Sequence, residues 1–402
     1  MFLGFRGAVM QGRKKIGVIT HPTITNYGGI LQAYALQATL VRMGFDAEVI
    51  EKRLYPRQLT LAEKLFVYPY RFFKKKILHK ECQIRHEKLL FDEIFQKKYE
   101  GSTNTMLFVD KHIRHKYVYD YSELKADDYY AIIVGSDQIW RPKYMKGMNM
   151  TIENAYLDFA KGWRIKRISY AASFGAEQWE YNNEQTKSCK DLLSAFDAVS
   201  CREYSGEQFC KSYLGYPEAT TVLDPTMLFN SDDYLALCDG YQERIKQGIM
   251  CYILDKDDRS ESVVSFVKKK LGMETFEVRA KSNAKDACKE DRLQPPVEEW
   301  IKGFQNASFV VTDSFHACVF SILFQKPFIV LVNHDRGTAR YDSLLGQFGM
   351  SYRIVESFDE TYLETVISKS LEETKAILSE RREYSLNFLK NSLGVNTEPV
   401  IK

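Results

Sequence analysis

The sequence predicts an α/β chain of two Rossmann-like domains facing each other across a cleft, followed by a helical tail. Three observations predict it. The 402 residues correspond to two or three domains at roughly 150 residues each. Short β-branched apolar runs alternate with segments whose apolar residues recur every three or four positions. That alternation restarts after TTVLDPTMLF (residues 220–229), where Pro225 follows a short apolar strand. With 45% hydrophobic and 27% charged residues the chain is far from a disordered composition. Its 56 basic and 53 acidic residues leave a net charge of +3, too balanced for a dedicated nucleic-acid binder, so an anion site must be local.

Residues 1–14 read as a disordered leader, because Arg6 splits the apolar part of MFLGFRGAVM and the charges follow it rather than precede it. KKIGVITH is then a strand, residues 22–29 a loop, and ILQAYALQATLVRMG a helix closed by Gly44; DAEVIEKR resumes as a strand. Such a βαβ opening gathers backbone N–H groups and the positive helix end around residues 26–30, a setting for an anion or polar ligand, although a tight turn also explains Gly28 and Gly29. Residues 54–116 change character, with 14 Lys and Arg against 7 Asp and Glu. The basic groups cluster in RFFKKKILHK, from Arg71 to Lys80, and a helical pattern follows. This segment is read as a helical insertion, either a solvated face or a contact with an anionic membrane surface.

YYAIIVGSDQIW, RISYAASFG and AFDAVSCRE are the next strands, each ending in small or polar residues. In open parallel sheets the strand C-termini line the ligand crevice, so Ser136, Asp137, Gln138, Ser173 and Arg202 are expected to converge. The first domain is placed at 15–222 and the second at 223–357, with strands GIMCYILD, TFEVRA, SFVVTD and PFIVLV separated by helices. Residues 358–402 form the helical tail, placed to pack across both domains. Two Rossmann-like halves about a cleft make the architecture GT-B-like. No run reaches the roughly 18 apolar residues of a membrane span, since Asp313, His316 and Lys326 break the greasiest stretch. Eight scattered cysteines without a C-x-x-C pair indicate neither a disulfide framework nor a zinc site, which points to the cytoplasm. His112 and His115, at H-x-x-H spacing on a basic segment, read as surface residues.

The most informative segment is SFVVTDSFHACVFSILFQKPFIVL, from Ser308 to Leu331. Thr312, Asp313 and Ser314 form an N-cap cluster, and His316 falls in the first helical turn, where an imidazole can pass a proton near neutral pH or, when protonated, hold an anion. A structural histidine is the alternative. Arg202 at a strand end, and Arg336 and Arg340 after PFIVLV, could hold phosphate or carboxylate through paired hydrogen bonds, or could be ordinary surface arginines.

YGGILQAYAL, VGSDQIW, SFGA, CRE, DPT, TDSFHA, FQKPFI and an R-G-x-x-R stretch, in that order, resemble the polysaccharide pyruvyl transferase family over roughly residues 15–355. The resemblance implies a GT-B-like fold, phosphoenolpyruvate as co-substrate with no cofactor, and a pyruvate ketal formed on a sugar of a surface polysaccharide or lipid-linked oligosaccharide. It carries the active-site histidine onto His316 and cationic positions onto Arg202 and Arg336; the chain departs from the family pattern at Ala317, where Gly is common. The expected site is then His316 as acid, Asp137 as proton acceptor, Arg202, Arg336, Arg340, Ser314 and Gly29 around the donor, and Asn26 and Gln138 at the acceptor. No metal is expected. A nucleotide-sugar glycosyltransferase and a non-catalytic glycan-binding module are the alternatives. The expected location is cytoplasmic, with peripheral contact at the inner membrane face through residues 71–80.

Overall fold

The computed structural model describes residues 12–53, 60–79, 99–242, 246–282, 288–332 and 337–395. Most of the leader, the helical pattern at 80–98, and Arg336 lie outside the described residues. The first domain is a seven-stranded sheet of β1 (Lys15–Ile19), β2 (Asp46–Lys52), β3 (His115–Val118), β4 (Ala131–Gly135), β5 (Lys166–Ala172), β6 (Ala198–Cys201) and β7 (Thr220–Thr221). Its strands run in the order β3-β2-β1-β4-β5-β6-β7, every pair parallel. The second sheet holds β8 (Gly248–Tyr252), β9 (Thr275–Phe276), β10 (Ala307–Thr312), β11 (Phe328–Leu331) and β12 (Ile354–Val355) in the parallel order β12-β11-β10-β8-β9. Both orders reverse direction once, between β1 and β4 and between β8 and β10, and a crevice opens at such a switch point. This is the GT-B-like arrangement of two Rossmann-like domains that the sequence predicts.

The helices are α1 (Tyr27–Arg42), α2 (Leu61–Lys76), α3 (Thr103–His112), α4 (Asn183–Leu193), α5 (Tyr204–Ser212), α6 (Asp258–Leu271), α7 (Val297–Asn306), α8 (Phe315–Leu323), α9 (Ala339–Gln347), α10 (Glu360–Ser368) and α11 (Thr374–Leu393), with several shorter turns between them. The strands that flank the first switch point are buried almost throughout, as parallel strands covered on both faces must be. Helix α1 begins three residues before the expected start: the Asn26 side chain accepts from the Gly28 N–H, so both glycines belong to the first helical turn rather than to a loop.

The basic segment is also shorter than expected. Residues 115–118, the first two of which fall inside the expected insertion, form β3 at the sheet edge beside β2, and Phe108 and Val109 of α3 enter the main core. The tail breaks into α10, packed on the second domain, and α11, which crosses back to the first. There Ser385 accepts from the Leu223 N–H at 3.0 Å, Phe388 meets Tyr170, and Tyr130 donates to the Leu393 carbonyl at 2.9 Å. Tyr27 of α1 stacks on Trp300 of α7 and donates to the Pro295 carbonyl at 2.6 Å, so the core of buried side chains runs continuously from one domain into the other.

His115 is not a surface residue. Its side chain is 4% exposed, with Nε2 2.9 Å from Thr23 Oγ1. Burial, with Arg53 nearby, pushes the imidazole down to about 4, while Glu51, 3.8 Å away, is itself raised by burial. A histidine whose folded value lies below its unfolded one stabilises the fold above the unfolded value and loses that contribution as pH falls from about 6.5 toward 4. Acidification from pH 7.5 to 5 is therefore expected to cost up to about 2 kcal/mol at this position. His115→Gln should flatten the stability profile between pH 5 and 7, as read by denaturant unfolding.

Candidate active site

The site forms where the two switch points face each other. Strand β4 ends in Gly135, and the next two residues, Ser136 and Asp137, both adopt left-handed backbone, with φ of 29° and 55°. Non-glycine residues sit there at a cost of about 1–3 kcal/mol each, which the surroundings must offset. The Ser136 N–H donates to the Tyr170 carbonyl and the Asp137 carbonyl accepts from the Ser173 N–H, so the bend is locked onto β5 and its following loop. It aims the Asp137 carboxylate at Arg202, which follows β6: Nη2 lies 3.3 Å from Oδ1.

Arg202 Nη1 reaches Asp224 Oδ2 at 3.0 Å, and the guanidinium lies over the Phe315 ring at 4.4 Å. Asp224 stands in an Asx turn, accepting from the Thr226 N–H and hydroxyl on one oxygen and from the Ser136 hydroxyl on the other. From the second domain, His316 brings Nε2 to 3.6 Å from the same Asp224 oxygen. Burial alone would raise both carboxyls. For Asp137 it is outweighed by His21, Arg202, His316 and Arg340, and for Asp224 by His316, Arg202 and Thr226, so both are held well below the usual carboxylate range.

Asp313 anchors the second switch point from the far side. Its two carboxylate oxygens accept from the backbone N–H groups of Leu254 and Asp255 after β8, at 2.7 and 2.8 Å, and Tyr341 donates to its carbonyl. This clamp sets the start of α8 and with it His316, whose imidazole lies close against the backbone of Gly28. A Cβ at Gly28 would stand 2.1 Å from its Cγ and Nδ1. The glycine pair thus has a packing reason in Gly28, whereas Gly29 has ordinary space.

Several buried polar atoms here have no hydrogen-bond partner in the protein: His21 Nε2, Ser173 Oγ, Arg202 Nε and His316 Nε2. Such atoms are uncommon in folded interiors, and grouped at a cleft they are what a polar ligand would satisfy.

The expected residues divide accordingly. His316, Asp137 and Arg202 come together, with Ser136 and Ser173 beside them, and the Arg340 guanidinium lies 5.8 Å from the centre of the Phe315 ring. Asp137 pairs with Arg202 through Oδ1, which also accepts from the Gln138 N–H. Gln138 is engaged structurally: its Oε1 accepts from Arg141, itself paired with Glu180, and packs against Gly175. Asn26 caps α1. Ser314 occupies the N-cap position of α8 without a side-chain capping bond, its N–H donating instead to Thr312 Oγ1. Arg336 lies outside the described residues. Sequence reasoning missed Asp224 as a site residue, although DPT was in view, and missed His21, at the end of KKIGVITH. Among the described residues no group of three His, Cys, Asp or Glu side chains could hold a metal ion.

Two outcomes are expected. Gly28→Ala should displace the His316 imidazole and lower turnover at least a hundredfold, with a stability loss of about 1–3 kcal/mol from overpacking; steady-state rates and denaturant melts check both. Asp224→Asn leaves Arg202 undercompensated in the interior and should cost about 3–5 kcal/mol. Because Asp137 and Asp224 are depressed in the fold, their contribution is present above the unfolded carboxyl range and lost as pH falls below about 4. Unfolding free energies of wild type and Asp224→Asn should therefore converge in acid.

The chain is similar in structure to UDP-GlcNAc 2-epimerase from Neisseria meningitidis, at 10% identity and a TM-score of 0.47 over 95% of this chain and 100% of that one. It is likewise similar to sucrose-phosphate synthase from Thermosynechococcus elongatus, at 11% identity and a TM-score of 0.44 over 96% and 100%. No curated protein sequence gives a significant match. The sequence model of one family, polysaccharide pyruvyl transferase, matches residues 26–335. That span runs from the cap of α1 past the end of β11 and contains Asp137, Arg202, Asp224 and His316, and by it the chain belongs to the polysaccharide pyruvyl transferase family.

Proposed function

We propose that this transferase uses phosphoenolpyruvate as donor and forms a pyruvate ketal on a sugar of a surface polysaccharide or a lipid-linked oligosaccharide. The observation that carries the reading is the position of His316: its Nε2, buried and without a hydrogen-bond partner, faces an Asp224 held as an anion, among cationic groups that would receive a small, multiply charged acid.

The chemistry follows from these residues. The His316 imidazolium gives its proton to the methylene carbon of the enol, leaving an oxocarbenium-like centre at the carbon that bears phosphate and carboxylate. A sugar hydroxyl adds to that centre, and its proton returns to the now neutral imidazole. The C–O bond to phosphate then breaks, and a second hydroxyl of the sugar closes the ring while its proton leaves with the phosphate. Asp224 offsets the imidazolium at the start of the cycle. Arg340, with Arg202 held between its two carboxylates, provides the positive field for the donor anion.

His316→Ala should lower turnover by about 10²- to 10⁴-fold while the protein remains folded. Mass spectrometry of candidate glycans after incubation with phosphoenolpyruvate should show the added mass of a pyruvate ketal. Transfer from a nucleotide sugar, with no change in the presence of phosphoenolpyruvate, would replace this reading.

A further inference from the structure

Helix α2 is built inside out. Around its axis, Leu61, Ala62, Leu65, Phe66, Pro69, Tyr70, Phe72, Phe73 and Ile77 form one continuous exposed arc, interrupted only by Lys76. The opposite side, where Glu63, Lys64, Val67, Tyr68, Arg71 and Lys74 lie, is the half-buried one. No residue of the helix is fully buried, and Leu65 and Phe66 are 74% and 78% exposed. Water-facing helices put charge outward, and an apolar arc of this width marks an interaction surface.

The charges around the arc identify its occupant. Lys74, Lys75 and Lys76 together fill the last turn of the helix, with Lys76 inside the arc, Lys75 exposed to one side of it and Lys74 on the half-buried side. The single carboxylate of the helix, Glu63, is occupied by the capping box with Thr60. An apolar face that runs into three consecutive lysines at its C-terminal end is matched to acyl chains below and anionic headgroups at that end. A protein partner would more often answer such a face with mixed charge.

We infer that α2 docks the enzyme on an anionic lipid bilayer, with Leu61, Leu65, Phe66, Phe72 and Phe73 entering the interface and Lys74, Lys75 and Lys76 pairing with lipid phosphates. Strand β2 ends at Lys52 on the same edge of the sheet as His21 and Asp137, and Thr60 is eight residues further on. The helix therefore starts within about 28 Å of that edge, which sets the site near the bilayer surface. The inference stands apart from the donor chemistry, since binding needs no turnover.

Flotation of the full chain with vesicles of phosphatidylcholine alone, and of phosphatidylcholine with phosphatidylglycerol, tests it. The wild type is expected to float with the anionic vesicles and to be released as salt rises. Leu65→Glu with Phe66→Glu should abolish flotation at every salt concentration, with unfolding midpoint and turnover on a soluble acceptor unchanged. Lys74, Lys75 and Lys76 changed together to Gln should weaken binding by up to about a hundredfold. A wild type that never floats, or a double variant that floats as the wild type does, overturns the inference. So does a double variant that melts earlier or turns a dimer into a monomer while neither form binds vesicles, because the face would then be covered by protein.

Discussion

The buried guanidinium of Arg202, held between Asp137 and Asp224, is the interaction on which the rest of the site depends. A cation that far from water is tolerable only when its counter-charges are fixed in place, and fixing them shapes the surrounding backbone. Asp137 reaches it only because two successive residues accept left-handed geometry after β4. Asp224 reaches it from the segment that links the two domains, held by its own turn. Phe315 closes the face of the guanidinium from the second domain and delivers the neighbouring His316. One ionic centre thus sets the register of three loops and the approach of one domain to the other.

That approach is rigidly supported. Tyr27 against Trp300 and the contacts of Gly337 with Gly175 and of Thr338 with Glu177 bind the domains on several sides of the site. The return of α11 to the first domain adds a further tie, with Tyr130 donating to the Leu393 carbonyl and Phe388 against Tyr170. The absence of room for a side chain at Gly28, where the imidazole lies against helix α1, belongs to the same economy of space. A histidine held this closely between two domains has its direction set by the packing of both.

Much of this was legible in the chain. Buried parallel strands announce themselves as short apolar runs, and the strand-helix alternation located both sheets and the convergence of Ser136, Asp137, Ser173 and Arg202 at strand ends. His316 was legible because it follows a strand and opens a helix. The two-residue strand β12 was not, because so short a pairing leaves no periodic pattern. Nor was the burial of His115: H-x-x-H spacing among basic residues carries no information about an edge strand folding back beside β2. The place of Asp224 in the site and the packing of Gln138 were not legible for a related reason. Their roles are fixed by partners 22 to 92 positions away or on a neighbouring loop, as with Arg202 and His316 for Asp224 and the packing against Gly175 for Gln138.

The sequence by itself determined what local spacing can encode: two Rossmann-like domains, a helical tail, a histidine at a helix start, and a basic segment after the second strand. Only the tertiary structure decided which charges neutralise one another, which glycine is required by an approaching imidazole, and which face of α2 looks outward. Periodicity reports the near neighbours of a residue along one element, whereas electrostatic compensation and steric exclusion depend on distances between elements, and those exist only once the chain has folded.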